Sequence, residues 1–204
     1  MIVGSLRRNS DAIIDFQALI LAVLDELQRA SEARSCIMAA AVLLDVLRAR
    51  GVNDAYPLTV KPRIFNPKFT ERLNNETFPE TPDQFAQWEA AGCFMVAIGH
   101  AEGSADQWPA HLVVVIPNAI KGRDAVCDLT ITQANVPNEN IQLQPILVGV
   151  QESFVSGSED FGVTINGCLI IYKAFPEDDS FKQTPIWKKR LKCEAIVRRV
   201  IKRL

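Results

Sequence analysis

A cysteine, a histidine and an aspartate occur in that order along the chain, each beside an apolar run. Cys36 follows the polar stretch Ser31-Glu32-Ala33-Arg34-Ser35 and opens the helical pattern Ile37, Ala40, Ala41, Leu44, Leu47. His111 follows Trp108-Pro109-Ala110 and opens Leu112-Val113-Val114-Val115-Ile116, and Asp128 is read as opening the next strand in Val126-Cys127-Asp128-Leu129-Thr130. These are the parts of a thiol acyl-transfer site: a sulfur nucleophile, an imidazole to move the proton and a carboxylate to fix the imidazole. With Ser35 as N-cap, the sulfur falls in the first helical turn, where unpaired backbone N–H groups and the helix dipole favour an anion. The thiolate is the nucleophilic form of cysteine. The chemistry then demands that His111 reach the sulfur and that Asp128 accept from the other ring nitrogen. Residues directly opposite on adjacent antiparallel strands have Cβ atoms about 4.5–5.5 Å apart, which suits such a pair if the register aligns them. A developing oxyanion calls for the Cys36 backbone N–H and a second donor, for which Gln28 and Trp108 are candidates. Gln133 is read as structural or substrate-facing.

Each of these residues also has a plainer reading. Cys36 could be a small hydrophobe opening a core helix, His111 a strand-edge histidine satisfied by backbone, and Asp128 an exposed strand-start residue. His100, the second of only two histidines, competes with His111 but precedes the small and acidic stretch 101–106, which reads as an exposed turn. Two histidines exclude a His-rich metal site, and the five cysteines (36, 93, 127, 168 and 193) include no C-x-x-C pair, so neither a zinc site nor a disulfide framework is expected. No cofactor is expected. Cys93, Cys127 and Cys168 read as buried strand residues and Cys193 as part of a terminal helix. Trp88, Trp108 and Phe94 could line an acyl groove, although aromatic residues at this density are more often core.

The elements that must position these side chains follow from periodicity. Ile13 to Leu27 has helical spacing, which predicts a first helix over 10–29 capped by Ser10 or Asp11; a second runs from Cys36 to Arg50 and stops at Gly51. Residues 55–60 read as a strand. Residues 61–88, with four prolines and Asn74-Asn75, read as an irregular excursion of the kind used as a lid or binding loop, with a helical turn over 85–91. Strands are expected at 93–98, 112–116, 125–129 and 141–150, with a hairpin-like connection over 118–124. Asn166-Gly167 predicts a tight hairpin between 163–165 and 168–172, since both turn positions need positive φ. A helix is expected from about Pro185. Helices first, an antiparallel sheet after and a helix last argue for an α+β fold in one domain over 1–204, with a core of about 30–175.

The chain has 204 residues, 48% hydrophobic and 23% charged, which suits a folded domain rather than a disordered one. No signal peptide is recognisable and no apolar run is long enough for a transmembrane segment, so a cytoplasmic location is expected. The formal charge of -2 is unevenly spread, because residues 185–204 carry eight basic side chains against Glu194 alone. Ile186, Trp187, Leu191, Ala195, Ile196, Val200 and Ile201 recur near helical spacing, so this helix can dock one face and leave a basic one in water. Its alternative use is as a handle for an acidic partner protein or an anionic surface. Without a phosphate-binding loop or an RNA-binding aromatic motif, nucleic-acid binding is not expected as the main function.

Taken together, Ser35 to Val52 resembles the nucleophile helix of the transglutaminase-like, papain-like superfamily of cysteine peptidases and acyltransferases, in which a helix beginning with cysteine runs to an L-R-x-x-G-[IV] turn and a strand. The His111 strand and Asp128-Leu129-Thr130-Ile131-Thr132-Gln133 are similar to the histidine strand and D-x-T segment that follow it. The resemblance covers about residues 30–135. It implies a papain-like fold, with the nucleophile helix packed on an antiparallel sheet, and amide cleavage or exchange through a Cys36 thioester, with His111 as base and acid and Asp128 orienting the ring. A protein or peptide substrate would follow. The rival expectation is a catalytically silent member of that fold that binds a protein partner through its basic C-terminal helix and the 61–88 loop.

Overall fold

The computed structural model describes residues 5–6, 14–32, 35–99, 108–188 and 191–204. A two-residue pairing of β1 (Ser5–Leu6) with β2 (Ile14–Asp15) leads into α1 (Phe16–Arg29). The cap of α1 is Asp15, whose carboxylate accepts from the backbone N–H groups of Gln17 and Ala18, so the helix starts later than its apolar spacing suggested. A carboxylate cap there also meets the positive end of the helix dipole. α2 (Cys36–Ala49) begins at the cysteine; Ser35 Oγ accepts from Met38 N–H at 3.1 Å, and Gly51 follows the helix at φ +84°. Ten of its fourteen residues are buried, because α1 and the sheet cover it on opposite sides.

The main sheet has seven strands, all paired antiparallel: β3 (Tyr56–Phe65), β4 (Met95–Ala97), β5 (His111–Ile120), β6 (Arg123–Asp128), β7 (Ile146–Val150), β8 (Phe161–Ile165) and β9 (Cys168–Phe175). Its order is β7-β6-β5-β3-β9-β8, and β4 pairs with the far half of β3. β3 is the hub and contains two prolines, each placed where no ladder donor is lost. The Pro62 carbonyl accepts from Ile98 N–H, so its nitrogen faces the same side, in the gap between β5, which pairs as far as Val60, and β4, which pairs from Arg63. Two tight turns use positive φ at both central positions, Lys121-Gly122 between β5 and β6 and Asn166-Gly167 between β8 and β9.

Strand alternation divides the core. Leu112, Val114, Ile116 and Cys127 face α1, α2 and the C-terminal helices, whereas Val113, Val115, Val126, Ile170 and Tyr172 face the other way. Residues of β7 and β9 share that second cluster although three strands separate them, so the sheet curls around it. A third, aromatic cluster of Phe65, Phe69 and Trp88 holds Cys93.

Several expectations change. Residues 61–88 are not an irregular loop: β3 continues to Phe65, α3 (Pro67–Leu73) is capped by Asn66, and α4 (Pro82–Ala90) is capped by a reciprocal Thr81–Gln84 box. Their prolines lie at the first helical position, where a missing N–H costs nothing. Cys93 precedes β4 rather than lying in a strand, and regular pairing in 141–150 is confined to β7. After α5 (Glu152–Val155), the chain ends in α6 (Pro185–Lys188) and α7 (Leu191–Arg203). α7 buries Cys193, Ile196 and Val200, whereas Ala195 and Ile201 face out. Two of its basic side chains are paired with another helix: Arg199 and Arg203 donate to Glu26, and Arg203 also to Asp25, on α1. Among the described residues no helix is long and apolar enough to cross a membrane.

Candidate active site

Two of the proposed residues meet directly. His111 Nε2 donates to both Asp128 oxygens at 2.9 Å, and both side chains are fully buried. The register that brings them together is not the face-to-face pairing expected. Asp128 ends β6 instead of opening a strand, and extending the β5–β6 register from Val114↔Cys127 sets it opposite Val113, diagonal to His111 on the same face. Diagonal neighbours are about 7–8 Å apart at Cα, a span that an imidazole and a carboxylate can close. Nor is His111 at a sheet edge, since β5 lies between β3 and β6.

Asp128 is held by more than the ring. Thr130 N–H donates to Oδ1 at 3.0 Å, and the Tyr172 hydroxyl donates to Oδ2 at 3.0 Å. A buried carboxylate is costly unless its lone pairs are filled, and here an imidazole, an amide and a phenol fill them. Tyr172 escaped the sequence reading because its role depends on how β9 lies against β3. The available signal was a tyrosine in an otherwise apolar strand, a residue whose hydroxyl needs a partner when buried.

Burial alone would favour the neutral imidazole. The charge and hydrogen bond of Asp128, with a further contribution from Cys36 through both its thiol and its charge, overturn that and push the His111 pKa up to about 10. Near neutral pH the ring is therefore an imidazolium. Nε2 is committed to Asp128, and Nδ1 is buried without a hydrogen-bond partner. Cys36 itself is partly exposed, the one member of the three that solvent reaches. Cys127, adjacent to Asp128, has its thiol pushed up by burial first and then by that carboxylate, which keeps it neutral.

The remaining candidates are placed differently. Trp108 packs on the same apolar cluster as Cys36, but its indole N–H donates to Ser180 Oγ at 2.8 Å and is not aimed at the sulfur. Gln28 is exposed in the last turn of α1, with no hydrogen bond from its side chain to Cys36 or His111 among the described residues. Gln133 is exposed in the short 3-10 turn Ile131–Ala134 after β6. His100 lies outside the described residues. A cleft of about 560 Å³ between the outer edges of β7 and β8 includes none of Cys36, His111 or Asp128. Among the described residues no group of three or more His, Cys, Asp or Glu side chains could hold a metal ion.

Arranged in this way, the groups hold an imidazole anchored by a carboxylate, with the Cys36 thiol at a helix N-terminus acting on the ring. Neither a family model, nor a curated protein, nor a solved structure matches the chain.

Proposed function

We propose that the chain is a thiol-dependent acyl-transfer enzyme, a cysteine peptidase, amidase or transglutaminase-like acyltransferase of papain-like fold, acting on an amide in a protein or peptide. The observation that carries this is the environment of His111: Nε2 is anchored on Asp128, Nδ1 has no hydrogen-bond partner, and Cys36 at the start of α2 acts on the ring. The Cys36 thiolate attacks the amide carbonyl carbon, and the C=O electron pair moves to oxygen. The first-turn amides of α2, which no helical carbonyl can receive, face the charge that develops. As the intermediate collapses, the C–N bond breaks and the Nδ1 proton of His111 passes to the leaving amine. Water or an amine then attacks the thioester, His111 takes its proton, and Cys36 is regenerated. Asp128 fixes the ring through Nε2.

Limited iodoacetamide treatment at pH 6, followed by peptide mass mapping, tests the reading. Cys36 should be alkylated ahead of the other four cysteines. His111→Ala should slow that reaction about a hundredfold, the factor separating a paired thiolate from an ordinary thiol at this pH. Because the other four cysteines are buried, the decisive outcome is the rate at Cys36 itself: alkylation at pH 6 that is unaffected by His111→Ala would overturn the reading.

A further inference from the structure

We propose that Tyr172 is a positioning residue of this site, one that fixes the Asp128 carboxylate from the opposite wall of the core and draws off part of the charge which that carboxylate presents to His111. The inference rests on the acyl-transfer reading and adds a fourth member to its machinery.

The geometry is specific. Asp128 ends its strand, and apart from the His111 ring it orients its only other donor is Thr130 N–H, two residues away in its own segment. Tyr172 reaches it from β9, which is separated from β6 in the sheet by β5 and β3, so the hydroxyl ties the carboxylate across the curl of the sheet. Tyr172 is fully buried and Ile170 and Ala174 flank it on the same face, so its ring cannot swing away. Only the hydroxyl is polar, and its hydrogen bond goes to Oδ2.

A donor on a carboxylate competes with every other donor for the same negative charge. Each share taken by the phenol weakens the hold of Asp128 on the imidazolium. The group must nevertheless give up a proton to a leaving amine, and too strong a hold would make it a poor acid. Tyr172 therefore sets a compromise: Asp128 is anionic and aligned, but does not trap the His111 proton. The titratable groups that act on this cluster are Cys36 from α2, Asp128 from β6 and Tyr172 from β9, with Cys127 next to Asp128 but on the other face of β6. The phenol is itself pushed well above its ordinary pKa, by burial first and then by Asp128, and remains a donor over the whole working range.

The chain has two histidines and two tyrosines, which makes a direct measurement possible. In a His100→Gln background, the His111 imidazole is titrated by 15N NMR. Tyr172→Phe keeps the ring and removes the donor, so the His111 midpoint should rise by at least about half a pH unit. In a Tyr56→Phe background, 3-fluorotyrosine at position 172 offers a stronger donor and should move the midpoint down. This second substitution leaves packing nearly unchanged and stands if the phenylalanine variant fails to fold. A midpoint that stays put or moves the opposite way in a folded variant would overturn the role. Selective, His111-dependent alkylation in the parent protein would still support the enzyme reading, so the two failures are distinguishable.

Discussion

Glu26 and Asp128 are carboxylates with almost no residual exposure, 1% and 0%, and their surroundings could hardly differ more. Glu26 is covered by Arg29, Arg199 and Arg203, guanidinium side chains that are themselves 40–62% exposed, so it is shielded close to the surface. The hydrogen bond from Arg199 holds its carboxyl below the usual value, burial opposes this, and Arg203 and Arg29 add to the lowering. Asp128 is deep and meets a phenol, an amide and one ring that can gain or lose a proton. Permanent cations make a clamp; a titratable partner makes a site. The contrast shows how one functional group can meet permanent cations in one place and a titratable partner in another, with its donors making the difference.

The sharpest way to break this contrast is to neutralise each carboxylate in turn. Asp128→Asn keeps an acceptor but removes the charge that sustains the imidazolium, so Cys36 alkylation at pH 6 should fall by about tenfold to a hundredfold. Glu26→Gln should leave that rate within about twofold. Alkylation rates of the two variants that change together would erase the distinction.

Next in size is the response to pH. The folded pKa of Glu26 lies below its ordinary 4.5, so its contribution to stability is present above that value and is lost as pH falls through the lowered one. His111 has the opposite sign. Raised from 6.5 to about 10, it contributes fully below 6.5 and progressively less as pH rises through about 10. Thermal unfolding scans should therefore show an alkaline decline that disappears in His111→Ala and an acid decline that is reduced in Glu26→Gln. Identical pH profiles for both variants would argue against the assignment.

The smallest effect expected is the stability cost of Glu26→Gln itself. Its partners are well exposed and screened by solvent, so about 1 kcal/mol is expected, or roughly 2–4 °C in Tm for a chain of this size, measurable by calorimetry. A loss several times larger would make the clamp as demanding as a buried site.

Much of the scaffold was legible locally. The Ser35 cap, the first residue of α2, the Gly51 stop and the Asn166-Gly167 turn are all dictated by residues within a few positions of one another. The misreadings share a cause as well. The prolines in 61–88 read locally as breakers, yet Pro67 and Pro82 start helices and Pro62 sits at a gap between neighbouring strands. His111 and Asp128 were visible as residue types, but their diagonal meeting depends on register, and Tyr172 depends on two registers at once. Such long-range placement leaves little trace in a linear pattern.

The contact between Glu26 and Arg199 spans 173 positions. During synthesis, α1 and α2 emerge early, yet the face of α2 that receives Cys193 and Ile196 has no cover until α7 follows. Closing so long a loop is slow compared with forming either helix. Cys36 therefore heads a helix whose packing is completed only by residues about 155 positions further on, and the growing chain carries this thiol before that cover exists.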